Sequence, residues 1–378
     1  MSLNTTSSHS LRSLTVLVVT ASMVLAGTPL RSQDLTAFLD FRERMIVFDH
    51  GTFTELEPLR PKAIGVGGDY IAYADATGDV KLYRNGSTTR LDRSSLVEPQ
   101  VTDHFFGFDV AGSLKLHDGT KLLSLCGNTG GYVVEDSIAG WYDVNQSMVR
   151  AWWQGQEYEL EDALANDPVR TWKSGDNLLA WVTNVERKLK VFYRGYIQDV
   201  ADVFEDGVDY KAGADVVAYV DPRGMGLKAF YQGGSYDLEA FKPASYQVGK
   251  GIVAWVDITG SLKVLEDGQV YTATSYAPQE YHVKDSIVVY RDQDRLMVFQ
   301  DGKVHEVERF WPEEWGASWG ALAYRGADRT VRIWRKGVGE VALREQTAQR
   351  FTLERGLLVM YMPLNTVKVW WRGDVYTH

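Results

Sequence analysis

The sequence predicts an all-β fold: a β-propeller of about ten compact four-stranded repeats, with a period near 36 residues, following a signal peptide. Three observations lead there. A glycine recurs at Gly51, Gly86, Gly119, Gly155, Gly195, Gly233, Gly268, Gly302, Gly337 and Gly373, at spacings between 33 and 40 residues. The stretch around each reads as short alternating strands closed by a tight hairpin. No helical periodicity of useful length survives beyond residue 33.

Residues 1–33 stand apart from the repeats. A leader with one charge, Arg12, precedes the apolar run Ser13 to Gly27. That run has the length of a signal-peptide core and falls short of the roughly 20 residues a spanning helix needs. Thr28 stands where a lipid-bearing cysteine would follow Leu25-Ala26-Gly27, so no lipid anchor is expected. The expected address is periplasmic or secreted, with residues 34–378 as one propeller domain and no membrane span after signal removal. The mature chain carries 38 basic and 50 acidic residues, a net charge of −12 against −10 for the full chain, which argues against a nucleic-acid partner. Cys126 ends an apolar run, has no second cysteine to pair with, and reads as a buried inert thiol.

The repeat is clearest around Trp255. A first strand, Tyr246 to Gly249, turns into a second, Ile252 to Asp257; a third, Leu262 to Glu266, passes through the Asp267-Gly268 hairpin into a fourth, Gln269 to Thr274. Prolines fall in the links between units (Pro58, Pro61, Pro99, Pro168, Pro243, Pro278, Pro312), where a missing amide proton interrupts no ladder. Five residues before the turn glycine most units carry a base: Lys81, Arg150, Lys190, Lys228, Lys263, Arg332 and Lys368, with Lys115 offset by one and Ile46 and Met297 as exceptions. An aromatic usually follows two residues later, on the same face of the strand. The first unit, Leu35 to Glu57, shows three strands and the last, Phe351 to His378, shows four. One closed ring of ten blades is therefore favoured over two five-bladed rings or an open array.

Copies such as IAYADATGDVKLYRNG, VVAYVDPRGMGLKAFYQGG and IVAWVDITGSLKVLEDG resemble the repeats of exported bacterial β-propellers, the TolB-like group in particular. The likeness is one of fold, covers residues 34–378, and implies an exported propeller.

For a site, the first strands vary most and are expected to line the channel. Acids ending the second strands recur as Asp75, Asp109, Asp143, Asp221, Asp257 and Asp292. A catalytic acid normally occurs once, so six copies read as turn-shaping residues or partners of a nearby base rather than a glycosidase pair. The histidines fall in no metal-ligand spacing, and no nucleophile elbow, phosphate loop or dinucleotide fingerprint is present, so neither metal nor cofactor is expected. The segment ERFWPEEWGASWG is an aromatic excess that the repeat does not explain. Trp311, Trp315 and Trp319, with Glu313, Glu314 and the nearby His282, form the candidate ligand site, suited to stacking on sugar rings or seating a peptide. The expected function is an exported, non-catalytic propeller that binds or scaffolds a protein or polysaccharide partner. The competing class is a glycoside hydrolase or polysaccharide lyase with its acid in the channel.

Overall fold

Within each sheet the strands pair in chain order. A computed structural model describes residues 34–93, 99–162, 172–183, 185–204, 207–344 and 348–378; the expected signal segment lies outside them. These residues form ten antiparallel sheets and no helix. Blade 1 spans residues 35–57 and has three strands. Blades 2 to 10 span 63–93, 100–126, 129–162, 173–202, 210–239, 245–274, 280–308, 315–343 and 350–377, with four strands each. Blade 7 shows the plan, with strands Ser245–Val248, Ile252–Val256, Leu262–Glu266 and Gln269–Thr274.

The recurring glycine closes a tight hairpin, as its place in the repeat predicts. Asp267 and Gly268 sit at φ 49° and 73°, the pair of left-handed conformations that a two-residue hairpin between right-twisted strands demands. A second periodic device is visible only in the pairing register. In blades 1 to 9 the last two strands slip by one residue at the same place, for example between Val80 and Lys81 and between Leu262 and Lys263. Blade 3 slips between Leu114 and Lys115, so Lys115 holds the regular position and its apparent offset belongs to a longer hairpin.

Successive blades bury their faces against one another. Val216, Ala218 and Tyr231 of blade 6 pack with Val253 and the fully buried Trp255 of blade 7. Phe38, Ile46 and Phe48 of blade 1 pack with Leu357, Val359, Val367 and Val369 of blade 10. Trp371 Nε1 also donates to Asp34 at 2.9 Å. The array is therefore a closed ring.

The recurring second-strand acids shape turns and pair with bases at once. Asp75 Oδ1 accepts from the amides of Thr77, Gly78 and Asp79, and its Oδ2 lies 2.9 Å from Lys81 Nζ. Asp257 repeats this with Thr259, Ser261 and Lys263. These hydrogen bonds outweigh burial and hold the Asp257 carboxyl at about 2.

The same bases reach across to the preceding blade, a contact the sequence reading did not find. Opposite the bulge, the last strand of the preceding blade carries an acid that accepts from the base: Glu57 with Lys81 at 2.7 Å, Glu239 with Lys263 at 2.8 Å, Glu308 with Arg332 at 2.8 Å, Glu161 with Lys190 at 3.5 Å, and Asp92 with Lys115. The unit on each side thus supplies one half of an ionic clasp. Between blades 7 and 8 both halves change together, to Thr274 and Met297, which accounts for the exception at Met297. Between blades 3 and 4 the acid is replaced by Cys126, which is 8% exposed, packs on Trp141, and has its thiol pKa pushed up by burial. That is the environment of an unreactive thiol.

Candidate functional site

The first strands approach one another most closely, blade to blade, and form the channel wall. Their two-residue alternation separates two sets of side chains. Four residues before the turn into the second strand stand Tyr132, Tyr210, Tyr246, Tyr281, Trp315 and Phe351, each opposite a second-strand residue such as Trp141, Tyr219, Trp255, Tyr290 and Tyr324. These point into the blades. One residue later stand Gln100, Val133, Lys173, Lys211, Gln247, His282 and Thr352, on the channel side. Two of them bind the next blade like an extra peptide unit. Gln247 donates to Tyr281 O at 2.8 Å and accepts from Val283 N at 3.0 Å; Gln100 does the same with Tyr132 O and Val134 N.

The wall tightens toward the turns that join first to second strands. A Cβ on Gly175 would lie 2.0 Å from Gly213 O, one on Gly213 2.1 Å from Gly249 O, and one on Gly249 2.2 Å from Asp285 O. Only glycine permits this approach of backbone to backbone.

At that end the turns are hydrogen-bonded to one another around the ring. Gly68 N donates to Asp103 O, Asp103 N to Asp136 Oδ1, Ser137 N to Asp176 O, and Asp215 N to Asn177 Oδ1, at 2.8–2.9 Å. Gly251 N donates to Ala214 O and Lys250 N to Asp285 O, while Trp319 N donates to Asp285 Oδ2 and Arg355 N to Ser318 Oγ. Among the described residues blade 1 contributes no first strand, and the Arg355 guanidinium spans the gap. It donates to Val66 O of blade 2 and lies 2.8 Å from Asp103 of blade 3. Lys250 of blade 7 makes a second crossing, 2.7 Å from Asp176 of blade 5 and 3.6 Å from Asp136 of blade 4.

The two crossings form a latch over one mouth of the channel. Burial raises the pKa of the Asp103 and Asp176 carboxyls, against the pull of Arg355 and Lys250 respectively. Burial also works against the Lys250 ammonium, but the hydrogen bond and charge of Asp176 prevail and raise its pKa.

On the other side of the latch lies a cavity of about 530 Å³, lined by Val133, Trp172, Lys173, Ser174, Lys211, Ala212, Gln247 and Val248. Its charged lining residues are two lysines on adjacent strands. Lys211 Nζ donates to Tyr246 O at 2.6 Å and lies over the Tyr246 ring; Lys173 is exposed. The size is that of a small-molecule or side-chain pocket.

The candidate aromatic site is divided by the fold. Trp311 and Trp315 meet edge to face at 5.7 Å, and Trp315 meets His282 at 5.2 Å. Both tryptophans are half-buried against the core between blades 8 and 9. Trp319 lies at the far end of the strand Trp315–Ser318, in the latch, at φ 51°. Trp315 also has counterparts after all, since it occupies the inward aromatic position shared by Tyr246 and Tyr281; the expectation that the repeat leaves it unexplained is corrected. Glu314 pairs with Arg325 at 2.5 Å and accepts from Phe351 N, whereas Glu313 is exposed. His282 Nε2 lies 3.3 Å from Glu280. Trp311, Trp315 and His282 thus gather near the unlatched end of the channel, away from Trp319.

Among the described residues no group of three or more His, Cys, Asp or Glu is placed to hold a metal ion, and no helix is long and apolar enough to cross a membrane.

Ten sheets closed into a ring around a latched channel define a ten-bladed β-propeller. The chain belongs to the 10-bladed beta propeller domain family, whose profile matches residues 29–376. No curated protein matches it. Among solved structures it is similar to the computationally designed Ika8 protein, with 17% identity and a TM-score of 0.36 over 90% of this chain and 99% of that one. It is similar also to Prp20p from Saccharomyces cerevisiae, with 12% identity and a TM-score of 0.31 over 56% and 71% of the two chains. A third is the CRINKLY WD40 ectodomain of the Arabidopsis thaliana receptor kinase ACR4, with 10% identity and a TM-score of 0.32 over 67% and 97%. None of these likenesses bears on a ligand.

Proposed function

We propose that the chain is an exported, non-catalytic binding module that receives a protein or polysaccharide partner at the unlatched end of its channel. The observation that carries this is the channel cavity, which presents Lys173 and Lys211 in a chain of net charge −10. Two ammonium groups on neighbouring strands, with the Trp172 ring and the Gln247 amide beside them, suit an anionic group attached to a flat or apolar body. The half-buried pair Trp311 and Trp315 adds aromatic surface near the same end. The recurring carboxylates do not compete for a catalytic role, because turns and clasps employ them.

The test is retention of partner from the envelope fraction by immobilised mature chain. Lys173→Glu with Lys211→Glu should abolish retention, and Trp311→Ala with Trp315→Ala should weaken it, while circular dichroism and the thermal midpoint show the ring intact. Equal retention by all variants would sink the reading.

The enzymatic alternative, a glycoside hydrolase or polysaccharide lyase, draws support from Glu135. Its carboxyl accepts from Ser174 Oγ at 2.6 Å beside the cavity, and burial raises its pKa. Turnover of an envelope polysaccharide that Glu135→Gln abolishes would favour that class.

A further inference from the structure

The five occupied clasps are an internal record of what fits between neighbouring blades, and one interface breaks the pattern in a telling way. Between blades 5 and 6 the position opposite the bulge is Ala201, paired with Leu189 just as Glu239 pairs with Leu227 and Glu308 with Leu296. The receiving half is intact. Lys228 keeps the place of Lys81 and Lys263 and holds its own blade's Asp221 at 2.9 Å, as Lys81 holds Asp75 at 2.9 Å and Lys263 holds Asp257 at 3.0 Å. Tyr219 keeps the place of Tyr73, whose hydroxyl donates to Glu57 at 3.0 Å, and of Tyr324, whose hydroxyl donates to Glu308 at 3.3 Å. With no acid to meet, the Tyr219 hydroxyl turns to Val200 O at 3.4 Å.

Beside Ala201 lies a cavity of about 250 Å³, lined by Tyr219, by the bases Lys188, Arg223 and Lys228, and by Asp199, Asp202 and Asp221. The other acid-free interfaces do not keep this arrangement: Thr274 and Met297 stand at the acid and base positions between blades 7 and 8, Cys126 packs on Trp141, and Leu343 is buried.

We propose that this notch is a carboxylate receptor on the outer part of the ring, taking a single aliphatic carboxylate that a ligand supplies in place of the absent acid. The carboxylate would accept from Lys228 Nζ and Tyr219 OH, as Glu57 accepts from Lys81 and Tyr73. Lys228 Nζ also lies 3.4 Å from its own blade's Asp237, whose side chain is 83% exposed, so the incoming carboxylate would take the place of this looser second partner and leave the ammonium between two carboxylates, as in an occupied clasp. Asp202 does not claim the position, since it is already paired with Lys188 at 2.7 Å and with Arg223. Two sources offer this chemistry, a small free acid and a glutamyl or aspartyl side chain of a protein. The notch is separate from the channel cavity, so the proposal does not depend on the channel-binding reading.

The test titrates the full chain with acetate and, separately, with N-acetylglutamate amide, following the Tyr219 and Lys228 side-chain resonances by NMR. Saturable shifts at both residues are expected, with Ala201→Glu weakening the response at least about tenfold, because its own carboxylate occupies the charge-assisted hydrogen bonds the ligand would make. Ala201→Glu places the acid within the chain and should raise the thermal midpoint; Lys228→Met should remove the response without filling the notch. Tighter binding of the glutamate derivative than of acetate assigns the site to a protein side chain, and comparable binding assigns it to a free acid. Non-saturating shifts, or an unchanged response in both Ala201→Glu and Lys228→Met, overturn the proposal.

Discussion

Arg355 closes the inner circle of turns, and its removal gives the sharpest test of how the ring is held. Its side chain is 17% exposed and that of its partner Asp103 13%, so the pair lies well out of water. Removing one member of such a pair strands the other, at a cost of about 3–5 kcal/mol, and the residual exposure points to the lower end. A ring of about 345 residues, at about 2.1 cal/mol/K per residue, has an unfolding entropy near 0.7 kcal/mol/K, so Arg355→Ala should lower the melting temperature by about 4 °C. Differential scanning calorimetry is the assay, with Arg309→Ala as control, because that side chain is 90% exposed. Adding Asp103→Asn to Arg355→Ala should restore part of the loss, since the carboxylate left behind is then neutral. A shift no larger than the control, or a double variant that loses the sum of the two single effects, would refute the closing role.

Other outcomes follow from the same geometry. Trp255→Ala empties a fully buried site between blades 6 and 7 and should cost about 3–5 kcal/mol in denaturant titration. Gly213→Ala drives a methyl group against Gly249 O and should destabilise the ring more than Gly86→Ala, where the added methyl meets nothing within 4 Å and only the left-handed backbone resists; equal midpoints would contradict the crowding argument. For pH, Asp257 is held at about 2, below the 3.8 of a free carboxyl. Its contribution is complete above about 4 and disappears as the pH falls toward 2, so Asp257→Asn should flatten the stability profile in that window. Asp103 and Asp176 have raised values and work in the opposite sense, their protonated forms favouring the fold as the pH falls.

Much of this architecture was legible because the repeat records it in residue type. The hairpin glycines need a backbone conformation that few residues accept, and the turn acids return at one place in each copy. The clasp escaped notice because its halves belong to different units, as with Glu239 and Lys263, 24 residues apart. An acid six residues after the turn glycine (Glu57, Asp92, Glu161, Glu239, Glu308) was the available signal. Trp315 looked unexplained because links of varying length hide its alignment with Tyr246 and Tyr281 when units are matched on the hairpin alone. The latch left no such trace: Lys250 and Arg355 each occur once, and only closure of the ring brings them to Asp176 and Asp103.

The claim that a partner enters the unlatched end of the channel is tested most directly by site-specific photocrosslinking. A photoreactive side chain in place of Lys173 should capture the retained envelope component, whereas one in place of His104, near the latched turns, should not. Capture from His104 with none from Lys173 would contradict the account.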